Sequence, residues 1–212
     1  NTASPPEQTV IPTTRYSSPL NCIQELHHFS PMTEDDMKRL ILNSNKKTSS
    51  LDPMPTQLVV DCLDLLLPII TKMINMSLET ASFPHKWKEA DVQPKLKKYG
   101  ADIVFKNLRP ISNLSFVSKL AERSAYNQLD DHLSFYNLYP KNQSAYRAFH
   151  STETALLRVK NDILMNMDKQ HVTLLVLLDL SAAFDTVDHT VLLRRMNSNF
   201  GVSGSALRWL TS

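Results

Sequence analysis

An aspartate follows an apolar run late in the sequence, where a carboxylate suggests chemistry rather than packing. The segment LLVLLDLSAAFDTVDH, residues 174–189, places Asp179 directly after five aliphatic residues. That run predicts a strand buried on both faces, and a buried ionised carboxylate is costly unless a cation or hydrogen bonds compensate it. Asp179 and the main-chain carbonyl of Leu180 offer oxygen ligands that suit Mg²⁺, so metal binding is one interpretation. The other is that Asp179 caps the next helix or pairs with a basic residue.

Helices are expected before this segment. Thr33 followed by Asp36 resembles a capping box that opens a short helix. Apolar residues spaced three and four apart predict a mostly buried helix, which Pro68 would kink or split. Its apolar positions are Leu58, Cys62, Leu65, Leu66, Ile69, Ile70, Met73 and Ile74.

Two further helices are predicted by the same periodicity, one over residues 116–133 and one that begins after Ser151 and ends near Asp168. Ser151 is a favoured N-cap residue. The buried side of the second helix is expected to carry Leu156, Val159 and Ile163. Asp185 and Asp188 have the simpler interpretation of acids at a helix start.

Short strands are expected between and after the helices. A segment with Val92 leads into the basic cluster of Lys95, Lys97 and Lys98, which fits a strand and a turn. A stretch bounded by Pro110 and Asn113 is predicted to be irregular. The predicted order along the chain is helices, then short strands, then helix, strand and helix. This order indicates an α/β or α+β architecture without a full sheet.

Composition excludes several classes of protein. The chain of 212 residues is 42% hydrophobic and 21% charged, as in soluble globular proteins, and its three glycines argue against a Gly-rich phosphate loop. Cys22 and Cys62 lack the spacing of a zinc site or a disulfide framework, so a reduced, intracellular setting is expected. No apolar run reaches the roughly 20 residues of a membrane span. Residues 1–28 are rich in proline and polar residues and predict a disordered linker.

Five segments, in order, resemble motifs of the reverse transcriptases of non-LTR retrotransposons. They are TSSLDPMP, FPHKWKEADVQPKLKK, NLRPISNLSFVSKLAER, QSAYRAFHSTETALLRVKNDIL and LDLSAAFDTVDH. The resemblance runs from about residue 29 to the end. It implies fingers over 29–171 and the start of a palm over 172–212 of a right-hand polymerase, with the sequence ending before the catalytic Asp-Asp hairpin and the thumb.

The resemblance also implies roles for individual residues. Asp179 would be a catalytic, metal-binding carboxylate, with the Leu180 carbonyl as a second ligand. The main chain of Leu180, Ser181, Ala182 and Ala183 would flank the incoming nucleotide. Phe184 would screen the sugar 2′ position, and the Arg147 guanidinium would bind triphosphate oxygens in pairs. Core packing for Phe184 and a solvated surface charge for Arg147 are the simpler interpretations.

Other basic residues have less specific roles in the resemblance. Five of them would contact the template and primer, or would only keep the surface soluble. They are Arg109, Lys119, Lys97, Lys98 and Lys95. Implied partners are an RNA template, a DNA primer and deoxynucleoside triphosphates. The implied cofactor is a pair of Mg²⁺ ions that needs several convergent carboxylates.

Some positions depart from the family pattern. Ala148 and Phe149 follow Arg147 where relatives carry a basic residue and a glycine, and Leu108 replaces a usual tyrosine. Three alternatives to a polymerase part therefore stay open. They are a nucleic-acid-binding module, a degenerate gene fragment without function, and a metal-dependent hydrolase using Asp179 with the two later aspartates.

Overall fold

Seven α-helices and one antiparallel hairpin make up the described part of the chain. The computed structural model describes residues 25–180 and 183–212, so Cys22, Ser181, Ala182 and most of the expected linker lie outside it. The helices are α1 (Glu34–Asn43), α2 (Thr56–Asp61), α3 (Leu63–Glu79), α4 (Phe116–Phe135), α5 (Thr152–Asp168), α6 (His189–Phe200) and α7 (Gly204–Thr211). The strands are β1 (Ala90–Leu96) and β2 (Leu108–Leu114), each preceded by a short 3-10 helix, His85–Lys88 and Phe105–Asn107. The two strands pair antiparallel and do not alternate with helices, which is the α+β form of the expected architecture.

Helices α1, α3, α4 and α7 pack around one hydrophobic core. Its fully buried side chains include Met37, Ile41, Ile74, Leu120 and Val202. An aromatic cluster closes one side of this core. The ring of Trp209 lies edge-on to Phe29 and Phe83 at centroid distances of 5.5 and 5.2 Å, and its indole N–H donates to Ser77 Oγ.

The first helix begins as the sequence predicts. Thr33 is its N-cap, and the Thr33 hydroxyl accepts a hydrogen bond from the Asp36 amide and donates one to the Asp36 carboxylate. These bonds lower the pKa of the Asp36 carboxyl, with the Thr33 hydroxyl as the main cause.

The long apolar stretch divides at Cys62 and not at Pro68, so the predicted split at Pro68 was wrong. Cys62 ends α2 with φ −101° and ψ 23°, whereas Pro68 lies inside α3. The buried side chains are Leu63, Leu67, Ile70, Ile74 and Leu78, whereas Leu58, Leu65, Ile69 and Met73 are exposed. Packing against α1, α4 and α7 selects this face, since both faces are apolar. Cys62 is a free thiol.

The stretch that contains Pro110 and Asn113 is strand β2, and the prediction of an irregular segment was wrong. The register places Pro94 opposite Pro110 and Lys95 opposite Arg109. Residues that face each other in an antiparallel pair alternate between bonded and non-bonded pairs, so two facing prolines fit where no N–H is required.

Helix α5 begins and ends where the sequence predicts, but it buries nothing. Ser151 is the N-cap and forms a capping box with Thr154. Leu156 is 63% exposed and Val159 38% exposed, so the predicted buried side of this helix was wrong. An amphipathic pattern shows only which face would be buried if a partner were present.

Residues 171–180 form no strand, which corrects the prediction for the LLVLL run. All ten are exposed, including Leu174 at 87% and Leu178 at 89%. A strand needs a neighbour to bond its main-chain groups, and β1 and β2 pair only with each other in the described residues.

The segment before α1 is bonded to the end of the chain. Leu26 forms a parallel bridge with Val202, and the Ala206 amide donates to the His27 carbonyl at 3.1 Å. None of the described helices is long and apolar enough to cross a membrane.

Candidate functional site

The aspartate of the apolar segment is exposed and free of side-chain partners within residues 25–180 and 183–212. It does not cap the following helix, because Asp188 does so by accepting a hydrogen bond from the Val191 amide at 3.0 Å. The simple interpretation of Asp188 as a helix-start acid is therefore confirmed. Asp179 and Leu180 gain no further ligand from the described residues, which hold no group of three acidic, histidine or cysteine side chains able to bind a metal ion.

The aromatic residue after that aspartate meets the QSAYR segment. The Phe184 and Tyr146 rings lie edge to face with centroids 6.3 Å apart. Phe184 is 75% exposed and Tyr146 is 78% exposed, so core packing was the wrong interpretation of Phe184. Two segments separated by more than 30 residues in the sequence are thus in contact.

The loop that carries Tyr146 has an unusual backbone. Tyr146 and Phe149 have φ angles of 59° and 62°, in the left-handed region that bulky residues avoid. Such conformations carry a cost of about 1–3 kcal/mol each and recur at functional sites.

Arg147 is held by an aromatic ring rather than by a carboxylate. Its guanidinium carbon lies 5.0 Å from the centroid of the Tyr139 ring, within the range of a cation–π contact. One Nη1–H donates to the Gln143 carbonyl at 3.5 Å. Arg147 is half-buried, so a freely solvated charge was the wrong description of it.

Tyr139 has a second partner. Its hydroxyl donates a hydrogen bond to the Asp130 carboxylate near the end of α4. Burial and the negative charge of Asp130 raise the pKa of Tyr139 to about 12, against a smaller lowering by Arg147. The phenol therefore stays protonated at neutral pH, and its hydroxyl remains a donor.

Arg147 and Tyr146 line an open groove of about 1530 Å³ between α1, α4 and the QSAYR loop. Lys119 also lines it, as do Arg123, which lies 5.4 Å from the Tyr126 ring, and Glu122. Desolvation raises the pKa of the Glu122 carboxyl, with a smaller opposing effect of Lys119. The groove thus combines several cations with acids, among them Asp36, Asp130 and Asp131.

The remaining basic residues predicted to contact template and primer lie on or beside the hairpin and do not line this groove. Lys95 faces Arg109 across the strands, a like-charge pair that is unfavourable unless an anion lies nearby. The Lys97 ammonium donates to the Lys106 carbonyl at 2.7 Å, and Lys98 is exposed. Close to these cations, the side chains of Tyr99 and Phe105 are almost wholly exposed.

Asp52 of the TSSLDPMP segment, which precedes α2, is hydrogen-bonded to the start of helix α4. Its carboxylate accepts hydrogen bonds from the Phe116 amide at 2.6 Å and the Ser49 amide at 2.7 Å. Phe116 is the first residue of α4, so the carboxylate satisfies an amide that has no partner within the helix. Next to it, the Ser50 hydroxyl donates to Asp91 of β1 at 2.9 Å. This segment therefore positions α4 and the hairpin.

Sequence reasoning missed Tyr139, Asp130 and the part played by Tyr146. Tyr146 was open to discovery, because it directly precedes Arg147 in a segment already singled out. Tyr139 and Asp130 gave no comparable signal, since an exposed helix acid and a tyrosine before a proline are common. Ser181 and Ala182, also predicted for the site, lie outside the described residues.

Comparison with known proteins gives a consistent picture. The family model described as reverse transcriptase (RNA-dependent DNA polymerase) matches residues 94–211, more than half of the chain. The probable RNA-directed DNA polymerase from transposon BS of Drosophila melanogaster is 32% identical over 126 residues, 59% of this chain and 14% of that protein. The RNA-directed DNA polymerase from mobile element jockey of the same species is 28% identical over 172 residues, 81% of this chain and 19% of that protein.

A third relative, the probable RNA-directed DNA polymerase from transposon X-element of Drosophila melanogaster, is 30% identical over 120 residues, 57% of this chain and 13% of that protein. The chain spans less than a fifth of the length of each of these relatives. No solved structure matches it.

Proposed function

Because the chain belongs to the reverse transcriptase family, we propose that it forms the nucleotide-facing part of an RNA-directed DNA polymerase of a non-LTR retrotransposon. In this proposal residues 29–171 are fingers and residues 172–212 begin the palm. The observation that carries it is the contact of Tyr146 with Phe184, which joins the QSAYR and LDLSAAF segments.

Three side chains divide the work of binding a deoxynucleoside triphosphate. The Arg147 guanidinium binds phosphate oxygens in pairs, because its planar fork matches their geometry. The Phe184 ring occupies the space beside the sugar 2′ carbon and so selects against a hydroxyl there. The main chain from Leu180 to Ala183 flanks the phosphates, and Asp179 supplies a carboxylate at the reacting end.

Reverse transcriptases generally use divalent metal ions, but the residues of this chain do not fit a complete two-metal site. Asp179 and the Leu180 carbonyl offer two oxygens, and no acidic residue occurs among residues 189–212. Two-metal chemistry needs several carboxylates at one point. We therefore expect this polypeptide by itself not to synthesise DNA.

A chimera tests the activity. Residues 94–211 would replace the matching segment of the jockey polymerase, and primer extension on an RNA template would be measured. We expect extension, and Asp179→Asn should lower it by at least about a hundredfold, as expected for loss of a group that stabilises charge in the transition state. Asp162→Asn, which changes an exposed acid of α5, is the matched control. Extension that survives Asp179→Asn would refute the catalytic role.

The same chimera tests sugar selection. Phe184→Val should raise incorporation of ribonucleotides relative to deoxynucleotides, because the smaller side chain leaves room for a 2′-hydroxyl. Leu192→Val, on an exposed face of α6, is the control for a general loss of packing. An unchanged ratio for Phe184→Val would remove Phe184 from the site.

A second candidate function is nucleic-acid binding without catalysis, and the hairpin favours it. The facing cations Lys95 and Arg109 are unfavourable together unless phosphates lie between them, and the exposed rings of Tyr99 and Phe105 can stack on bases. RNA binding by the 212-residue chain should then weaken with salt. Arg109→Gln should reduce the slope of log affinity against log salt by about 0.7, whereas Lys169→Gln at the end of α5 should not.

A further inference from the structure

We propose that Tyr139 is a positioning residue for Arg147: its ring holds the guanidinium, while its hydroxyl keeps the Asp130 carboxylate from neutralising that guanidinium. The inference rests on the proposed role of Arg147 in binding a triphosphate. Tyr139 itself need not touch the nucleotide.

The ring positions a cation without consuming its donors. A guanidinium has five N–H groups, and a carboxylate partner would take two of them in a bidentate pair. The Tyr139 face attracts the charge instead, at 5.0 Å from its centroid. Within the described part of the chain, the Gln143 carbonyl is the hydrogen-bond acceptor of Arg147, at 3.5 Å. Most of the fork is therefore left for phosphate oxygens.

The hydroxyl engages the acid that would otherwise compete. Asp130 and Arg147 line the same groove, yet the ion pairs within the described residues do not include them. The Asp130 carboxylate instead accepts the Tyr139 hydroxyl. Because the Tyr139 pKa is raised to about 12, this hydroxyl stays a donor at neutral pH.

One phenol thus contacts both an acid and a base that lie in one groove and keeps the two apart. If the hydroxyl were lost, the freed Asp130 carboxylate would pair with the cation that contacts the same tyrosine, the Arg147 guanidinium. The pair would take N–H groups from the fork and would cancel its charge.

The test uses the 212-residue chain and two readouts. The first is the rate at which phenylglyoxal modifies Arg147, followed by mass spectrometry of the peptide that contains it. The second is the dissociation constant for dATP. The variants are Tyr139→Phe, which removes only the hydroxyl, and Tyr139→Phe combined with Asp130→Asn, which also removes the competing charge. Thermal unfolding verifies that each variant is folded.

We expect Tyr139→Phe to slow modification of Arg147 by about twofold or more and to weaken dATP binding by a similar factor. Adding Asp130→Asn should restore both. A merely structural tyrosine would give no such rescue, so unchanged rates in Tyr139→Phe, or a loss that Asp130→Asn does not repair, would overturn the proposal.

The contribution of the ring is measured separately. Tyr139→Leu and Tyr139→Phe, each combined with Asp130→Asn, differ in the aromatic face alone. We expect the leucine variant to bind dATP about two- to fivefold more weakly. Equal affinities would refute the role of the ring.

Failure of this inference can be distinguished from failure of the proposed function. If the unmodified chain binds no dATP, the nucleotide-binding role of Arg147 fails. The phenylglyoxal rates still decide whether Tyr139 and Asp130 control the state of the guanidinium, because that reaction requires no nucleotide.

Discussion

Two regions of this molecule have the same kinds of residues but very different burial. The packed region, helices α1, α3, α4 and α7, contains most of the buried core. The open region, the described residues from 151 to 200, contains helices α5 and α6 and has no buried residue. Amphipathic helices occur in both, so helix-forming pattern alone does not produce a core.

The difference matters because two of the proposed site residues lie in the open region. Asp179 and Phe184 are exposed and are held by few contacts, whereas Lys119 stands on a helix fixed by the core. Segments with few buried contacts open locally at low free-energy cost. The Tyr146–Phe184 contact joins the open region to the QSAYR loop, and Tyr139, which contacts Arg147 of that loop, donates its hydroxyl to Asp130 of α4.

The sharpest test of the comparison is to remove the same side chain from each region. Leu120→Ala in α4 deletes a leucine that is 1% exposed, and should lower the free energy of unfolding by about 2–5 kcal/mol. Leu156→Ala in α5 deletes one that is 63% exposed and should cost less than about 0.5 kcal/mol. Urea unfolding measures both. A similar cost for the two would show that α5 packs against something in solution.

The next largest loss of stability should come from removing Asp52, which joins the TSSLDPMP segment to α4. Asp52→Ala leaves the amides of Phe116 and Ser49 without their acceptor, and should destabilise the protein by about 1–3 kcal/mol. Asp52→Asn retains one acceptor oxygen and should lose about half as much. Denaturant midpoints measure the effect, and equal losses for both variants would point to charge rather than hydrogen bonding.

Helix caps of equal chemistry should have unequal consequences in the two regions. Ser115 caps α4 and Ser151 caps α5, and each hydroxyl accepts a hydrogen bond from an amide of the first turn. Replacement by alanine should cost about 1 kcal/mol in either helix. In α4 the loss should appear in global unfolding. In α5 it should appear only as faster amide exchange within that helix, since the helix opens separately. A global effect of Ser151→Ala would contradict the separation.

The smallest effect concerns pH. The Ser151 hydroxyl lowers the pKa of the Glu153 carboxyl below its ordinary value of 4.5. A depressed pKa stabilises the folded helix above the unfolded value, and this contribution is lost as the pH falls through the lowered one. NMR titration should therefore show the helicity of α5 decreasing below about pH 4.5. Glu153→Gln removes this titration, and an unchanged pH profile in that variant would rule out the carboxyl as its source.

Much of the local structure could be predicted. The capping residues Thr33 and Ser151, the extent of α4 and the limits of α5 follow from side chains within four residues of each other. Arg147 and Phe184 were selected by their motifs, and their roles in a nucleotide site stay predictions.

Two predictions failed for lack of a partner distant in the sequence. The LLVLL run was expected to be a buried strand, and Leu156 to face a core, yet neither has a neighbour within the described residues that would bury it. Tyr139 was missed for the same reason. Its contacts with Asp130 and Arg147 cannot be inferred from its position in the sequence.

The sequence by itself determined the helix starts, the amphipathic patterns and the family, because these depend on residue type and short spacing. Only the tertiary structure decided which face of α3 is buried, that Pro110 lies within a strand, and which ring holds Arg147. Those outcomes depend on groups brought together across the chain, such as Trp209 and Ser77, which lie 132 residues apart. The free energy of such contacts comes from burial and pairing that no local segment contains.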